Sequence, residues 1–445
     1  MTTTIPKIYP AVKGSRLLTG HMTEMQQDTY GFYKRHHAEH GDSLKFDTFF
    51  GMNFYSFASP EAMHRILIKE RKKYSRGRRW SHVVSFIGGN GIITSKGELW
   101  QQQRQRITPY FQPAHIEQYL GTVAKNAVSM AKRWQELPAG SDINVSQEMM
   151  KLGLVNISDI LFNYDMRERA EDFSTAMMDG FTYINRFIQN PLTPPRFLPL
   201  KTNRDFKKNK AVADDIVREI IAVVRKDDED CLINALVKAG NSDRQLHDEI
   251  ITLLMAGHDT VSTALAWSWL LLSKHPEVLE KAQEEIDREL QGATPTSESL
   301  ERLPYTRMIF KETLRLYPSA WAIHRFAEEP DEVDGLPVRK WSSVVLPVYV
   351  THRHPAHWRH PDQFWPEHFS KEESDGRARF AFIPFGGGEH VCPGAHLANT
   401  EGALILAALL QKVVPAMKDD AEISPVVSFT LKPERDIIGR AVERN

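Results

Sequence analysis

The sequence has almost no cysteine. Only Cys231 and Cys392 occur among 445 residues, far apart and in unlike surroundings. That leaves no disulfide framework and no Cys-x-x-Cys knuckle for a structural metal. Net charge is nearly absent as well, with 56 Lys plus Arg against 57 Asp plus Glu. No global field draws the chain to nucleic acid or to an anionic membrane, so any charged docking surface must be local. Long apolar runs are missing. The nearest, Ala264 to Leu272, is interrupted by Ser268 and falls far short of the roughly 18 residues a bilayer span needs. The N-terminus (Met-Thr-Thr-Thr-Ile-Pro-Lys-Ile-Tyr-Pro) lacks the basic segment and apolar stretch of a secretory signal. There is no internal repeat, no low-complexity segment, and no Gly-x-Gly-x-x-Gly after a strand to hold a dinucleotide. The expectation is a soluble cytoplasmic chain in a reducing compartment, without a membrane anchor and without a nucleic-acid partner.

What is present is material for a large core: 41% hydrophobic and 10% aromatic residues. Gly41 to Phe57, aromatic-rich and partly alternating, reads as a hairpin. Ser59-Pro60-Glu61 reads as a helix start, with Ser as cap and Pro in the first turn. From Pro113 to Lys311 helical spacing dominates, broken by turn material at Pro191 to Pro199 and Asp227 to Asp230. The longest helix is expected from Ser242 to Lys274, stopped by Pro276, and at 1.5 Å per residue it would span roughly 45 Å. Gly257 in its interior costs about 1 kcal/mol relative to Ala, and polar residues crowd beside it, so a break with a cause is expected there. Val344 to Val350 reads as a strand, Ala395 to Val413 as the last helix, and Val426 to Leu431 as a short strand pair. The fold class expected is mainly α with a smaller β portion.

Chemistry concentrates around Cys392. Phe385-Gly-Gly-Gly-Glu-His-Val-Cys-Pro-Gly394 is a glycine-rich loop running into a helix N-terminus. Amide N–H groups and the helix dipole there favour a thiolate, which is the ligand form. Glycines let backbone approach a flat cofactor, and Phe385 can cover the sulfur. Other readings of the same residues are a buried inert cysteine, a nucleophile paired with histidine, or a zinc site drawing on His390, Cys392 and His396, with His352, His354, His357 and His360 upstream. Further patterns occur in order along the chain: Trp100-Gln-Gln-Gln-Arg104, Ala256-Gly257-His258-Asp259-Thr260, Glu312-Thr-Leu-Arg315, Arg325, and Phe364-Trp-Pro-Glu-His368-Phe369. Glu-x-x-Arg alone is weak, because such pairs are mostly surface ion pairs; Glu285 and Arg288 share the spacing and read as that bland case. The basic run Lys69 to Arg79 reads as a solvated face.

Taken together these segments resemble the cytochrome P450 family. Phe385, Gly388, His390, Cys392 and Gly394 match its haem-binding signature, and Ala256 to Thr260 match its oxygen-binding motif. The resemblance implies one domain over residues 1–445, β-rich to about residue 75. It implies the family's triangular helical body, with the long helix crossing over the haem. It implies haem b, with Cys392 as the axial thiolate that pushes electron density onto iron. Trp100, Arg104, Arg325 and His390 would hold the haem propionates, and Phe385, Gly386, Gly394, Ala256 and Gly257 would border the ring. Gly257 would leave room over the iron, Asp259 and Thr260 would relay protons, and Glu312 with Arg315 would lock the core behind the cofactor. His368 stands where the family usually has Arg, which suggests a softer lock.

The implied reaction is oxygen insertion from O2 into a lipophilic or aromatic small molecule, by hydroxylation or epoxidation in bacterial secondary metabolism. Oxidative coupling of aromatic substrates is the alternative, and a zinc-binding protein or hydrolase the remote one. Electrons would come from a separate ferredoxin or flavodoxin with an NAD(P)H-dependent reductase. The substrate pocket is expected from Val83 to Ile87, Met177 to Phe187, Leu253, Ala256, Ala322, Ile323 and Val427 to Phe429.

Overall fold

The computed structural model describes residues 11–12, 20–47, 53–189, 193–226, 230–440 and 442–444. The first ten residues, the turn of the hairpin, and the starts of the turns expected at Pro191 and Asp227 lie outside the described residues.

Helices form the body: α1 (Met22–Gln27), α2 (Thr29–His40), α3 (Arg78–Gly88), α4 (Gly97–Ile107), α5 (Pro113–Gln135), α6 (Val145–Phe162), α7 (Ala170–Gln189), α8 (Lys201–Val224), α9 (Asp243–Lys274), α10 (Pro276–Leu290), α11 (Pro304–Leu316) and α12 (Ala395–Leu410). Ser242 caps α9 by accepting the Gln245 amide at 3.3 Å, and His275 before Pro276 ends it. The middle of this helix is buried nearly all round, as expected of a helix passing through a large core. It packs against α3, α6, α8, α11 and α12. No described helix is long and apolar enough to cross a membrane.

The main sheet joins distant parts of the chain. Its strands are β1 (Ala11–Val12), β2 (Ser43–Asp47), β3 (Asn53–Phe57), β4 (Tyr74–Ser75), β5 (Ala322–Ala327) and β6 (Ser343–Pro347), in the order β1-β2-β3-β6-β5-β4. β2 and β3 pair antiparallel as the aromatic alternation predicts, Ser43 facing Phe57. β3 then pairs parallel with β6, Phe54 facing Ser343. The β portion is therefore not confined to the N-terminal part, which itself carries α1, α2 and the Ser59-capped helix Pro60–His64. The expected strand at Val344–Val350 stops at Pro347 and becomes one helical turn, Val348–Thr351. The last helix ends at Leu410, and Val413 bridges to Glu443 instead. A small hairpin, β7 (Pro425–Val427) and β8 (Leu431–Pro433), closes the described fold against α9.

One sequence-based expectation fails inside α9. The helix runs unbroken through Gly257. A Cβ there would lie 2.8 Å from Ile157 Cδ1, on the neighbouring α6. Glycine is thus what lets the two helices approach, which gives its presence a packing cause.

Candidate active site

The Cys392 loop is built by its glycines. Gly386 and Gly388 both have positive φ, +74° and +77°, and a Cβ on Gly388 would sit 2.3 Å from the Leu67 carbonyl oxygen. Side chains are therefore excluded, and the loop folds back so that the Cys392 amide donates to the Phe385 carbonyl at 3.0 Å. Gly394 then caps α12, and its amide donates to the Cys392 sulfur.

Cys392 is accessible to solvent although it lies in the middle of the packed chain, while surrounding protein desolvates the thiol enough to raise its pKa. A thiol both enclosed and accessible lines an internal void. Burial outweighs the Gly394 amide and Arg104, which act the other way, so the helix end does not by itself produce the thiolate expected from the sequence. A cation at the sulfur is needed to reverse the balance. Cys231, in contrast, is buried.

Around this void, surfaces that ought to be dry are not. Ala256, Gly257 and Thr260 are half-exposed within the buried α9, and Ala322 to Phe326 are half-exposed although β5 is an interior strand. Gly386 faces Ile323, where a Cβ would stand 3.8 Å from Cδ1. Basic side chains crowd the same place. The Trp100 ring meets the His390 ring edge-on at 4.3 Å, with Arg104 one turn along α4. Burial pushes Arg325 down to about 10, with Arg76 repelling it. Burial and the three arginines 76, 325 and 104 push His390 down to about 3. His390 Nδ1 is buried without a partner, and Arg104 makes no ion pair with a described carboxylate. Converging guanidinium groups with so little negative charge are costly unless an anion joins them. A void with a cysteine on one side and cations at its edge fits an iron porphyrin, whose two carboxylates would supply the missing charge.

Arg76 was not found from sequence. It sits in the basic run read as a solvated face, yet it is desolvated, and its guanidinium donates to the Ile93 and Ser95 carbonyls at 2.5 and 2.8 Å. Only Tyr74-Ser75 pairing with β5 brings it inward.

Family membership follows from comparison of the whole chain. Residues 10–438 match the family model Cytochrome P450. This chain belongs to the cytochrome P450 family. The cofactor is haem b and the activity is monooxygenation, with O2 and electrons from a redox partner. Cyclooctatin synthase of Streptomyces melanosporofaciens is 31% identical over 396 residues, covering 85% of this chain and 84% of that protein. Pentalenene oxygenase of Streptomyces avermitilis is 27% identical over 443 residues, 97% and 96% of the two chains. Cyclooctat-9-en-7-ol 5-monooxygenase of Streptomyces melanosporofaciens is 30% identical over 371 residues, 80% and 79%.

On this P450 frame the oxygen-motif residues hold unequal positions. Thr260 Oγ1 donates to the Ala256 carbonyl at 2.9 Å, and the Thr260 carbonyl accepts from Ser319 Oγ at 2.7 Å. Asp259 is fully buried and turned to the C-terminal hairpin: Oδ2 accepts from Thr430 Oγ1 at 2.8 Å, and Oδ1 lies 2.7 Å from Lys432 Nζ. Thr430 and Lys432 carried no signal, because nothing local distinguishes a lysine that reaches a carboxylate 173 residues away. A cleft of about 500 Å³, bordered by Ser262, Thr263 and Ala266 of α9, reaches Lys432.

Glu312 and Arg315 are completely buried and joined by two bonds, 2.8 Å to Nε and 2.7 Å to Nη2. Arg315 also donates to the carbonyls of His352, Pro361 and Gln363. His368 completes the group, its Nδ1 3.1 Å from Glu312 Oε1 and its Nε2 against the Arg359 carbonyl. The imidazole thus has an oxygen at each ring nitrogen and bridges Glu312 to the Arg359 carbonyl from the position where the family usually has arginine. Glu285 and Arg288 do not pair. Glu285 is buried and accepts the Tyr305 and Thr306 amides at the start of α11, while Arg288 points to Glu289 on the surface.

The expected pocket segments also come together. Phe181 stacks on Phe429 at 4.7 Å and 1°, and Gly180 abuts Ile87, where a Cβ would be 2.9 Å from Cδ1. No group of metal-capable side chains among the described residues includes Cys392. His352 and His354 are each already engaged at both nitrogens, which removes the zinc reading of this loop.

Proposed function

We propose that Cys392 would ligate the iron of bound haem, and that the chain hydroxylates a cyclic, terpene-like hydrocarbon or alcohol. The observation carrying the first part is the enclosed yet accessible thiol with Arg104 acting on it and Arg76, Arg325 and Arg104 converging on His390 of the same loop. Support for the second comes from the relatives' names and from the apolar wall of Phe86, Ile87, Phe181 and Phe429.

Haem b, when bound, supplies the oxidising chemistry that inserts one atom of O2 into a carbon–hydrogen bond. The chain's residues do the rest. Trp100, Arg104, Arg325 and His390, joined by Arg76, hold the propionates; Phe385, Gly386, Gly394, Ala256 and Gly257 border the ring. Asp259 takes protons that enter by the cleft at Lys432 and passes them to the Thr260 hydroxyl beside it on α9. Thr430 and Lys432 hold that carboxylate in place. Aromatic and aliphatic side chains of α3, α7 and β7–β8 place the substrate and exclude water from it. Electrons come from a separate ferredoxin or flavodoxin with its NAD(P)H-dependent reductase, and the protein works in the cytoplasm as one domain.

The test is turnover of cyclic terpene hydrocarbons with a ferredoxin, its reductase and NADPH. Monohydroxylated products formed at the expense of NADPH are expected; dimeric coupled products, or equal product from peroxide alone, would refute this reading. Thr260→Ala is expected to leave the spectrum unchanged and divert most reducing equivalents to hydrogen peroxide. Coupling of NADPH to product as tight as in the wild type would remove Thr260 from proton delivery.

A further inference from the structure

Outside the residues assigned to the haem site, the helical pair α1–α2 gathers histidines. His21 precedes α1, Glu24 lies on it, and His36 lies on α2, with one donor atom from each within 4.8 Å of the others. Glu24 joins them: Oε2 is 3.3 Å from His21 Nδ1 and Oε1 is 3.5 Å from His36 Nε2. His21 is 4% and His36 9% exposed. Both nitrogens of His36 are buried and lack a hydrogen bond of acceptable geometry. An imidazole in that setting is a buried polar group left unsatisfied.

Apolar rings make up the rest of the wall. Phe32 and Phe46 pack edge-on or tilted against both imidazoles, with centroid separations of 4.5 to 5.7 Å. The charged groups facing the cluster are few. Arg35 touches Glu24 at 3.4 Å but has its shorter partner in Asp28, at 2.7 Å. His40 stacks on His36 at 5.8 Å.

We propose that His21, Glu24 and His36 form a zinc site with two imidazoles, one carboxylate and a fourth position open to water. Two nitrogens and a hard oxygen with no thiolate suit Zn(II), which takes tetrahedral ligands at about 2.0–2.2 Å. The three donor atoms already lie within 4.8 Å of one another. A second set, His36, Glu39 and His40, shares His36 and lies at the surface. One ion can use His36 at a time, and the inner set is favoured because its second histidine, His21, is buried whereas Glu39 and His40 are exposed. Bound zinc would tie α1 to α2 next to β2, and so fix the chain entering the sheet.

The probe is zinc alone, added to untagged holoenzyme and buffered near about 1 μM free ion, with bound metal measured by mass spectrometry. One zinc per chain is expected in addition to iron, with a rise in Tm of a few degrees. His36→Gln and Glu24→Gln should each weaken zinc binding at least tenfold and abolish the Tm shift. The carbon monoxide spectrum should be unchanged throughout, since none of the three ligands is among the residues assigned to the haem. If His36→Gln loses that spectrum and so fails to fold, Glu24→Gln, whose side chain is 37% exposed, decides alone. A wild type that retains no zinc overturns the site, as does a folded variant that binds it as tightly.

Discussion

Cys392→Ser is expected to abolish the strongly red-shifted Soret band of the reduced, carbon monoxide-treated protein, and monooxygenase turnover with it. Thiolate donation to iron is a property of sulfur; a serine hydroxyl in the same loop does not ionise near neutral pH and donates far less electron density. The substitution removes no packing of consequence. The thiol faces a void, and the loop is held by backbone bonds such as Cys392 to Phe385 and by the turns at Gly386 and Gly388. Turnover should fall to background, while the far-ultraviolet circular dichroism stays that of the wild type. Cys231→Ser is the matched control, with spectrum and turnover unchanged. A Cys392→Ser protein that kept the red-shifted band would show that another residue ligates the iron.

The second large effect is expected at a position that never touches the cofactor. Glu312→Gln leaves the Arg315 guanidinium and His368 without their buried counter-charge, at zero exposure on both sides. Breaking a buried ion pair by neutralising one partner costs about 3–5 kcal/mol, out of a typical total stability of about 5–15 kcal/mol. Three carbonyls from the segment His352 to Gln363 hang on that guanidinium, and His352 in turn accepts the Ile383 amide just before the Cys392 loop. Tm should drop by several degrees, and haem should be lost faster on dilution into apomyoglobin. Arg288→Gln belongs to a pair of identical spacing, but its side chain is 66% exposed and bonded only to Glu289. That change should shift stability by no more than about 0.5 kcal/mol. Equal effects at the two positions would mean that burial of Glu312 contributes nothing to the lock.

The contrast between Glu312 and Glu285 also marks how far sequence reaches. Helical periodicity, the Ser59 and Ser242 caps and the stop at Pro276 are local, and each was legible because it depends on residues within one or two turns. Cys392 was legible for the same reason: three glycines, a cysteine and a helix start stand within ten residues, and positive φ permits little else there. The sequence also placed Trp100 and Arg104 together on one helical face, four residues apart. By itself, then, it determined a mainly helical chain with a cysteine loop of cofactor-binding type and the order of its motifs. Tertiary structure decided what those residues meet. It buried Arg76 out of an apparently solvated run, turned Glu285 from a surface partner into a cap for α11, and set Asp259 against Thr430 and Lys432. It assigned Gly257 to the contact with α6, and it joined β3 to β6 across nearly three hundred residues. The physical reason is common to all of these: desolvation and pairing depend on neighbours that chain separation does not reveal, and a charge has the same code in sequence whether water or another helix surrounds it.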